Sequence, residues 1–245
     1  MKLSSLQAIP RCFHTTRWSL VRQATADDSA EALDAMETLC EAYWYPLYAF
    51  IRRSGYSPED AEDLTQGFFA RMLDRDILTT ADPGRGKLRT FLLTCLRRFL
   101  AHETERRMAQ KRGAGLIVSM DTTWAENRYL HEPVDHLTPD RLYQRRWALT
   151  VLEHTLRLLK DEYEDKGKGV LFEHLRPYLG LGVEPEQSYE AMAAKLGQSL
   201  TNTKTQVFRL RQRWRELLFE QVSMTLDDPS SEEIKAELSE LMQCL

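Results

Sequence analysis

The stretch from Ser188 to Val222 gathers cations onto a helical pattern. From Lys195 through Lys204, Arg209, Arg211 and Arg213 to Arg215 it contains no acidic residue, a local positive surface of the kind that neutralises phosphates. Ser188 can cap a first helix with the apolar stripe Met192, Ala193 and Leu196, and Gly197 breaks it. Ser199 can cap a second helix. At about 100° per residue, Leu200, Val207, Leu210, Trp214 and Leu218 share one sector of it, and Asn202, Thr205, Arg209 and Gln212 lie opposite. Two helices across a glycine turn, the second presenting such side chains, read as a helix-turn-helix whose second helix faces DNA. A solvated amphipathic helix packed on its own domain is the alternative; the spacing across Gly197 favours DNA.

A second set of cations precedes this one. Lys87 to Arg112 carries Lys87, Arg89, Arg97, Arg98, Arg106, Arg107, Lys111 and Arg112 against Glu103 and Glu105, and Lys87, Thr90, Thr94, Arg97 and Arg98 share the side away from the stripe Leu88, Leu92, Cys95, Leu96 and Phe99. Before it, Ser57 can be an N-cap, with Pro58 first in the helix and Asp60 third. Ala61, Leu64, Phe68 and Met72 then point inward, which throws Glu59, Glu62, Asp63 and Gln66 onto one outward acidic face. The helix dipole favours acid in the first turn. It does not account for Asp63 or Gln66, which lie beyond that turn.

The scaffold that must carry these faces is helical. The chain has 245 residues, 42% hydrophobic, with a formal net charge of -4, so phosphate affinity rests on local patches. No apolar run of ~18 residues occurs and Met1 to Pro10 lacks a signal core, which predicts a cytoplasmic protein with no membrane partner. Cys12, Cys40, Cys95 and Cys244 are too scattered for zinc or a disulfide framework. The six histidines form no ligand pair, no glycine-rich phosphate loop is present, and adjacent His102 and Glu103 fall on different helix faces. This argues against an enzyme such as a helical nuclease, and for no cofactor or metal.

Helices are expected from Thr16 to Gln23, docking Trp18 and Val21, and from Ala30 to Ser54 with the stripe Leu33, Met36, Cys40, Tyr43, Leu47 and Phe50 or Ile51, kinked at Pro46. A loop spans Asp74 to Gly86, and a helix follows from Lys87 to about Lys111. Gly113 to Pro139 loses helical periodicity, holds the β-prone stretch Leu116 to Met120, and reads as an acidic linker. Thr138 and Pro139 start a helix that runs through Leu159; after a turn at Lys166 to Gly169 comes a short one from Val170 to Leu179. The fold class is all-α: a domain over residues 1–112, a linker over 113–139, a helix-turn-helix domain over 140–226, and an acidic helical tail over 227–245. The tail, with Ile234, Leu238 and Leu241 at helical spacing, could fold back on a basic surface or stay in solvent.

This order of segments resembles a bacterial RNA polymerase sigma factor of the sigma-70 family, in its extracytoplasmic-function group. Asp60-Ala61-Glu62-Asp63-Leu64-Thr65-Gln66 is similar to the family's polymerase-binding helix. Pro83-Gly84-Arg85-Gly86-Lys87-Leu88-Arg89-Thr90-Phe91-Leu92 is similar to its promoter-opening loop and helix. Ser188-Tyr189-Glu190-Ala191-Met192-Ala193, with Leu196-Gly197 and Lys204 to Arg211, is similar to its reader of the upstream promoter element.

The resemblance implies core RNA polymerase and promoter DNA as partners. Glu59, Asp60, Glu62, Asp63 and Gln66 would meet a basic coiled coil of the polymerase, where opposite charge gives steering and register, and Phe69 would add a desolvated anchor. The loop from Thr79 to Arg85 matches the pocket for an unpaired base of the minus-ten element. Lys87, Arg89, Arg97 and Arg98 would hold strand phosphates; Phe91 is either a stacking face or core. Lys204, Thr205, Phe208 and Arg209 match the minus-thirty-five contacts, with Asn202 and Gln212 on the same face and Arg211 and Arg213 on phosphate. Three departures stand out. Gly67 sits where the family usually has an acid, Trp147 to Leu179 lacks the Leu-Pro and Arg-Glu signature, and the acidic tail is an addition, to be matched with regulation of the factor, as is an anti-sigma protein. The competing reading is a helix-turn-helix regulator that never touches polymerase.

Overall fold

The computed structural model describes residues 18–25, 30–73, 77–82, 84, 86–109, 123–130, 137–180 and 187–245. Among them every regular element is a helix and no strand occurs. In order these are α1 (Trp18–Ala24), α2 (Ala30–Arg53), α3 (Pro58–Leu73), α4 (Leu88–Ala109), α5 (Thr123–Leu130), α6 (Pro139–Asp165), α7 (Gly169–Leu175), α8 (Tyr189–Leu196), α9 (Leu200–Ser223) and α10 (Ser231–Gln243). Short 3-10 turns lie at Leu78–Thr80 and Arg176–Leu179. None of these helices is long and apolar enough to cross a membrane. Cys12 and the stretch Leu116 to Met120 lie outside the described residues.

The chain divides into two compact units, Met1–Thr150 with Ser223–Leu245, and Val151–Val222. The division falls within α6 rather than at its start, and the C-terminal helix counts with the first unit.

In the first unit α2 is the central element, flanked by α1, α3 and α5. Every residue from Ala42 to Ile51 is buried, and the helix continues through Pro46. Neighbours on several sides explain why no outer face survives there. Further upstream the stripe is shifted from the expected one: Met36 faces inward as expected, but Leu33 is 67% exposed and Ala32, Ala35 and Leu39 face inward in its place. Cys40 is a half-buried thiol pushed up to about 12 by burial and then by Glu37 and Glu41, so it stays protonated and unreactive.

Residues placed in a linker by their lost periodicity contain α5. Ala125 and Tyr129, four apart, are buried, and Glu126 accepts from the Tyr48 hydroxyl at 2.5 Å and from Arg52 Nε and Nη2 at 2.9 and 2.8 Å. The Arg52 hydrogen bonds hold the Glu126 carboxyl below its usual range; burial and the Glu126 carboxylate push the Tyr48 phenol up. A helix of eight residues with two buried apolar side chains gives little periodic signal; the half-buried ion pair to α2 and the Trp124 ring, packed on Trp44 and Tyr45, add to its anchorage.

In the second unit the last turns of α6 pack with α7, α8 and α9 around Leu159, Phe172, Leu175, Tyr178, Met192, Leu210 and Trp214, all buried. Gly167 (φ +66) makes the turn after α6 in the left-handed region, where a side chain would be strained.

Candidate functional site

The acidic helix α3 is built as its spacing demands. The Asp60 amide donates to Ser57 Oγ at 3.1 Å, and the Ser57 hydroxyl donates to Asp60 Oδ2 at 3.0 Å, so Asp60 serves the cap and sits half-buried. Ala61, Leu64, Phe68 and Met72 are buried and fix the rotation of the helix. Glu59 and Asp63 are therefore exposed, while Glu62, half-buried, accepts from Gln66 Nε2 at 3.1 Å. These four side chains come together on one face.

Phe69 does not join them. It is 5% exposed and lies edge-on to Phe68, ring centroids 6.0 Å apart. Adjacent helical residues are only about 100° apart, and the apolar sector of α3 is wide enough to take both rings. The proposed anchor is thus core, which corrects the reading of Phe69 as a partner contact. Gly67 has a local reason as well: a Cβ there would come within 3.3 Å of the Phe99 ring. It lets α3 and α4 approach beside an open groove of about 670 Å³ bordered by Asp63, Arg71, His102 and Arg106.

On α4, Leu88, Leu92, Leu96 and Phe99 are buried as the stripe requires, and Phe91 is half-buried. The cations divide. Arg98 is exposed. Arg97, half-exposed, pairs with Asp140 of α6. Arg89 is only 3% exposed: its guanidinium stacks 4.3 Å over the Trp147 ring, Nε donates to Gln144 at 2.9 Å, and its other nitrogens meet Glu237 and Glu240 of α10. Lys87 pairs with the same two carboxylates, with Glu237 Oε2 at 2.5 Å. Arg89 is therefore covered rather than offered to solvent, by Trp147 and Gln144 of α6 and by the acidic tail, which folds back onto the start of α4. Arg85 lies outside the described residues.

In the second unit, Ser188 caps α8 through the Ala191 amide and Gly197 closes it in the left-handed region at φ +62. Ser199 caps α9 by accepting from the Asn202 amide at 3.2 Å. Thr203, Val207, Leu210, Trp214 and Leu218 are buried, and that turns Asn202, Lys204, Thr205, Phe208, Arg209 and Gln212 outward, all exposed, Phe208 to 63%. Asn202 receives light support from Gln198 Oε1 at 3.0 Å, and Gln212 from Glu216 at 3.1 Å.

Arg211 and Arg213, expected on phosphate, are tied inward. Arg211 Nε donates to the Tyr178 carbonyl at 2.7 Å. Arg213 donates from Nη2 to Glu162 at 2.6 Å and from Nη1 to Glu216 and Glu220 at 3.3 Å each. Hydrogen bonding to Arg213 holds the Glu162 carboxyl low, and Glu162 raises Arg213 in turn. Charge counting missed this, because the carboxylate that claims Arg213 lies on α6, 51 residues away in sequence. Glu216 and Glu220, at three- and seven-residue steps on the same helix face, are the signal that could have flagged it.

Among the described residues no group of acids, cysteines and histidines is set to hold a metal. Neither a curated protein nor a solved structure matches the chain. Residues 39–109, which run from the middle of α2 through the acidic helix to the end of α4, match the family model of sigma-70 region 2.

Proposed function

We propose that the chain is a sigma factor of the extracytoplasmic-function type, which binds core RNA polymerase and directs initiation at promoters bearing minus-thirty-five and minus-ten elements. The observation that carries this is the sigma-70 region 2 match over a segment whose helix α3 turns Glu59, Glu62, Asp63 and Gln66 to one side. In this reading that face docks on a basic helical surface of the polymerase, gaining orientation and encounter rate from its charge. Lys87, Arg89, Arg97 and Arg98 hold the opened strand near the minus-ten element. Asn202, Lys204, Thr205, Phe208, Arg209 and Gln212 read the minus-thirty-five element from α9, the second helix of a helix-turn-helix: Arg209 suits a guanine edge, Asn202 and Gln212 an adenine edge, Phe208 a thymine methyl. The chain contributes recognition and strand capture and leaves bond making to the polymerase.

Run-off transcription with purified core polymerase on a promoter library, with and without the chain, tests the reading. Transcripts that depend on the chain and disappear with Asp63→Lys, a change at an exposed site that leaves the fold intact, support it. Promoter binding with no affinity for core polymerase would make the protein a helix-turn-helix regulator instead.

A further inference from the structure

The two cations at the start of α4 are already occupied by anions from the same chain. Glu237 is buried and bridges Lys87 and Arg89; Glu240, one turn on, pairs with both again. Carboxylates three residues apart on a helix stand about 5–6 Å from each other at Cβ. They offer a Lys and an Arg what successive phosphates offer: anionic oxygens accepting charge-assisted hydrogen bonds. We propose that α10 is a built-in phosphate mimic that covers Lys87 and Arg89, two of the strand-binding cations of the first unit, and must be displaced before these two can hold DNA.

The construction of α10 fits a detachable cover. It is folded at its own start, where Ser230 and Glu233 form a reciprocal capping box: the Glu233 amide donates to Ser230 Oγ and the Ser230 amide to Glu233 Oε2. Its attachment is narrow, resting on Ile234, Leu241 and the Glu237 cluster. Glu240 is 51% exposed, so water, salt and a competing polyanion reach the edge of the ion-pair cluster directly. The connection from α9 is the short turn through Asp227, Asp228 and Pro229, in which Asp228 holds φ +44, a region that non-glycine residues seldom adopt.

This inference rests on the assignment of Lys87 and Arg89 to the opened strand, and the test separates the two. The full chain, without polymerase, is titrated with a fluorescent single-stranded pyrimidine oligodeoxynucleotide over a range of salt. Glu240→Gln is expected to tighten binding about threefold and Glu237→Gln with Glu240→Gln about tenfold. In the double variant the salt slope should steepen by about 1.4, since each released cation contributes about 0.7 on a single strand. Unchanged affinity and slope in both variants would overturn the proposal. Glu240 is exposed enough that its substitution leaves the fold intact, so the single variant decides if the double one loses helix content. Run-off transcription on the same proteins distinguishes the failures. Core-dependent transcription with unmoved oligonucleotide affinity overturns the phosphate mimic and spares the sigma reading; tightened binding with no transcription overturns the sigma reading and supports the mimic.

Discussion

Helices α4 and α9 carry the same kind of charge and use it in opposite ways. On α9, Lys204 and Arg209 are exposed beside Asn202, Thr205 and Gln212, while Arg213, further along, is consumed by Glu162, Glu216 and Glu220. On α4 Lys87 and Arg89, nearest the helix start, are consumed by Glu237 and Glu240; further along, Arg97 pairs with Asp140 and Arg98 is exposed. A cation becomes available to a ligand through the absence of a carboxylate in reach, and reach is set by tertiary structure. Net charge over a segment therefore bounds what a helix can bind without saying which residue binds.

Truncating one arginine on each helix should have the largest effect. Arg89→Ala removes the partner of a buried carboxylate, a class of change worth about 3–5 kcal/mol. The loss is expected near the lower end, about 3 kcal/mol, since Glu237 can regain water once α10 lifts away. Arg209→Ala touches an exposed side chain and should move stability by less than about 0.5 kcal/mol; on the proposed function it should also weaken minus-thirty-five binding by about 1–3 kcal/mol and relax preference at one base pair. Urea melts and promoter titrations on both variants check this. A destabilised Arg209→Ala, or an Arg89→Ala of unchanged stability, would erase the distinction between covered and offered cations.

What the residues reveal in advance follows the same division. Elements with local signals are legible: the Ser57-Pro58-Asp60 start of α3, the Thr138-Pro139 start of α6, whose Arg141 amide reaches Thr138 Oγ1 at 3.3 Å, and the Ser188 to Ser199 turn all form where their capping residues predict. So does the outward set on α9, because a single-sided stripe fixes helix rotation. Illegible are the features decided by distant partners. Leu33 and Phe69 exchange the roles their spacing suggests because neighbouring helices set how wide the buried sector is. The helix α5 needs Tyr48 and Arg52 of α2 to hold Glu126, and no periodicity in eight residues announces that. For the acidic tail, composition shows that it suits a basic surface; only the fold singles out Lys87 and Arg89.

The Arg213 cluster should respond to acid. The Glu162 carboxyl is held below its ordinary value by Arg213, so its contribution is fully present above the unfolded carboxylate pKa and is lost as pH falls through the lower folded value. Arg213 is 35% exposed, and solvent screening limits the cluster to about 1 kcal/mol. Thermal unfolding of Arg213→Ala should therefore lie slightly below that of the unmodified chain at neutral pH and converge with it in acid. A gap that stays constant with pH would show Arg213 acting by packing alone.

The smallest effects should carry opposite signs for the two helices. Ser199 and Ser230 do the same work, each satisfying an orphan amide in the first turn, of α9 and α10. Replacing either by Ala costs about 1 kcal/mol of local helix stability. At Ser199 that loosens the helix that presents Thr205 and Arg209, and promoter binding should fall by severalfold at most. At Ser230 it loosens the helix that carries Glu237 and Glu240, and binding of a single-stranded oligonucleotide should rise by a similar factor. Paired titrations, duplex promoter for the first and single strand for the second, read both signs. Because the two serines differ little in chemistry, a fall at both sites would mean that α10 supports the basic face of α4 instead of covering it.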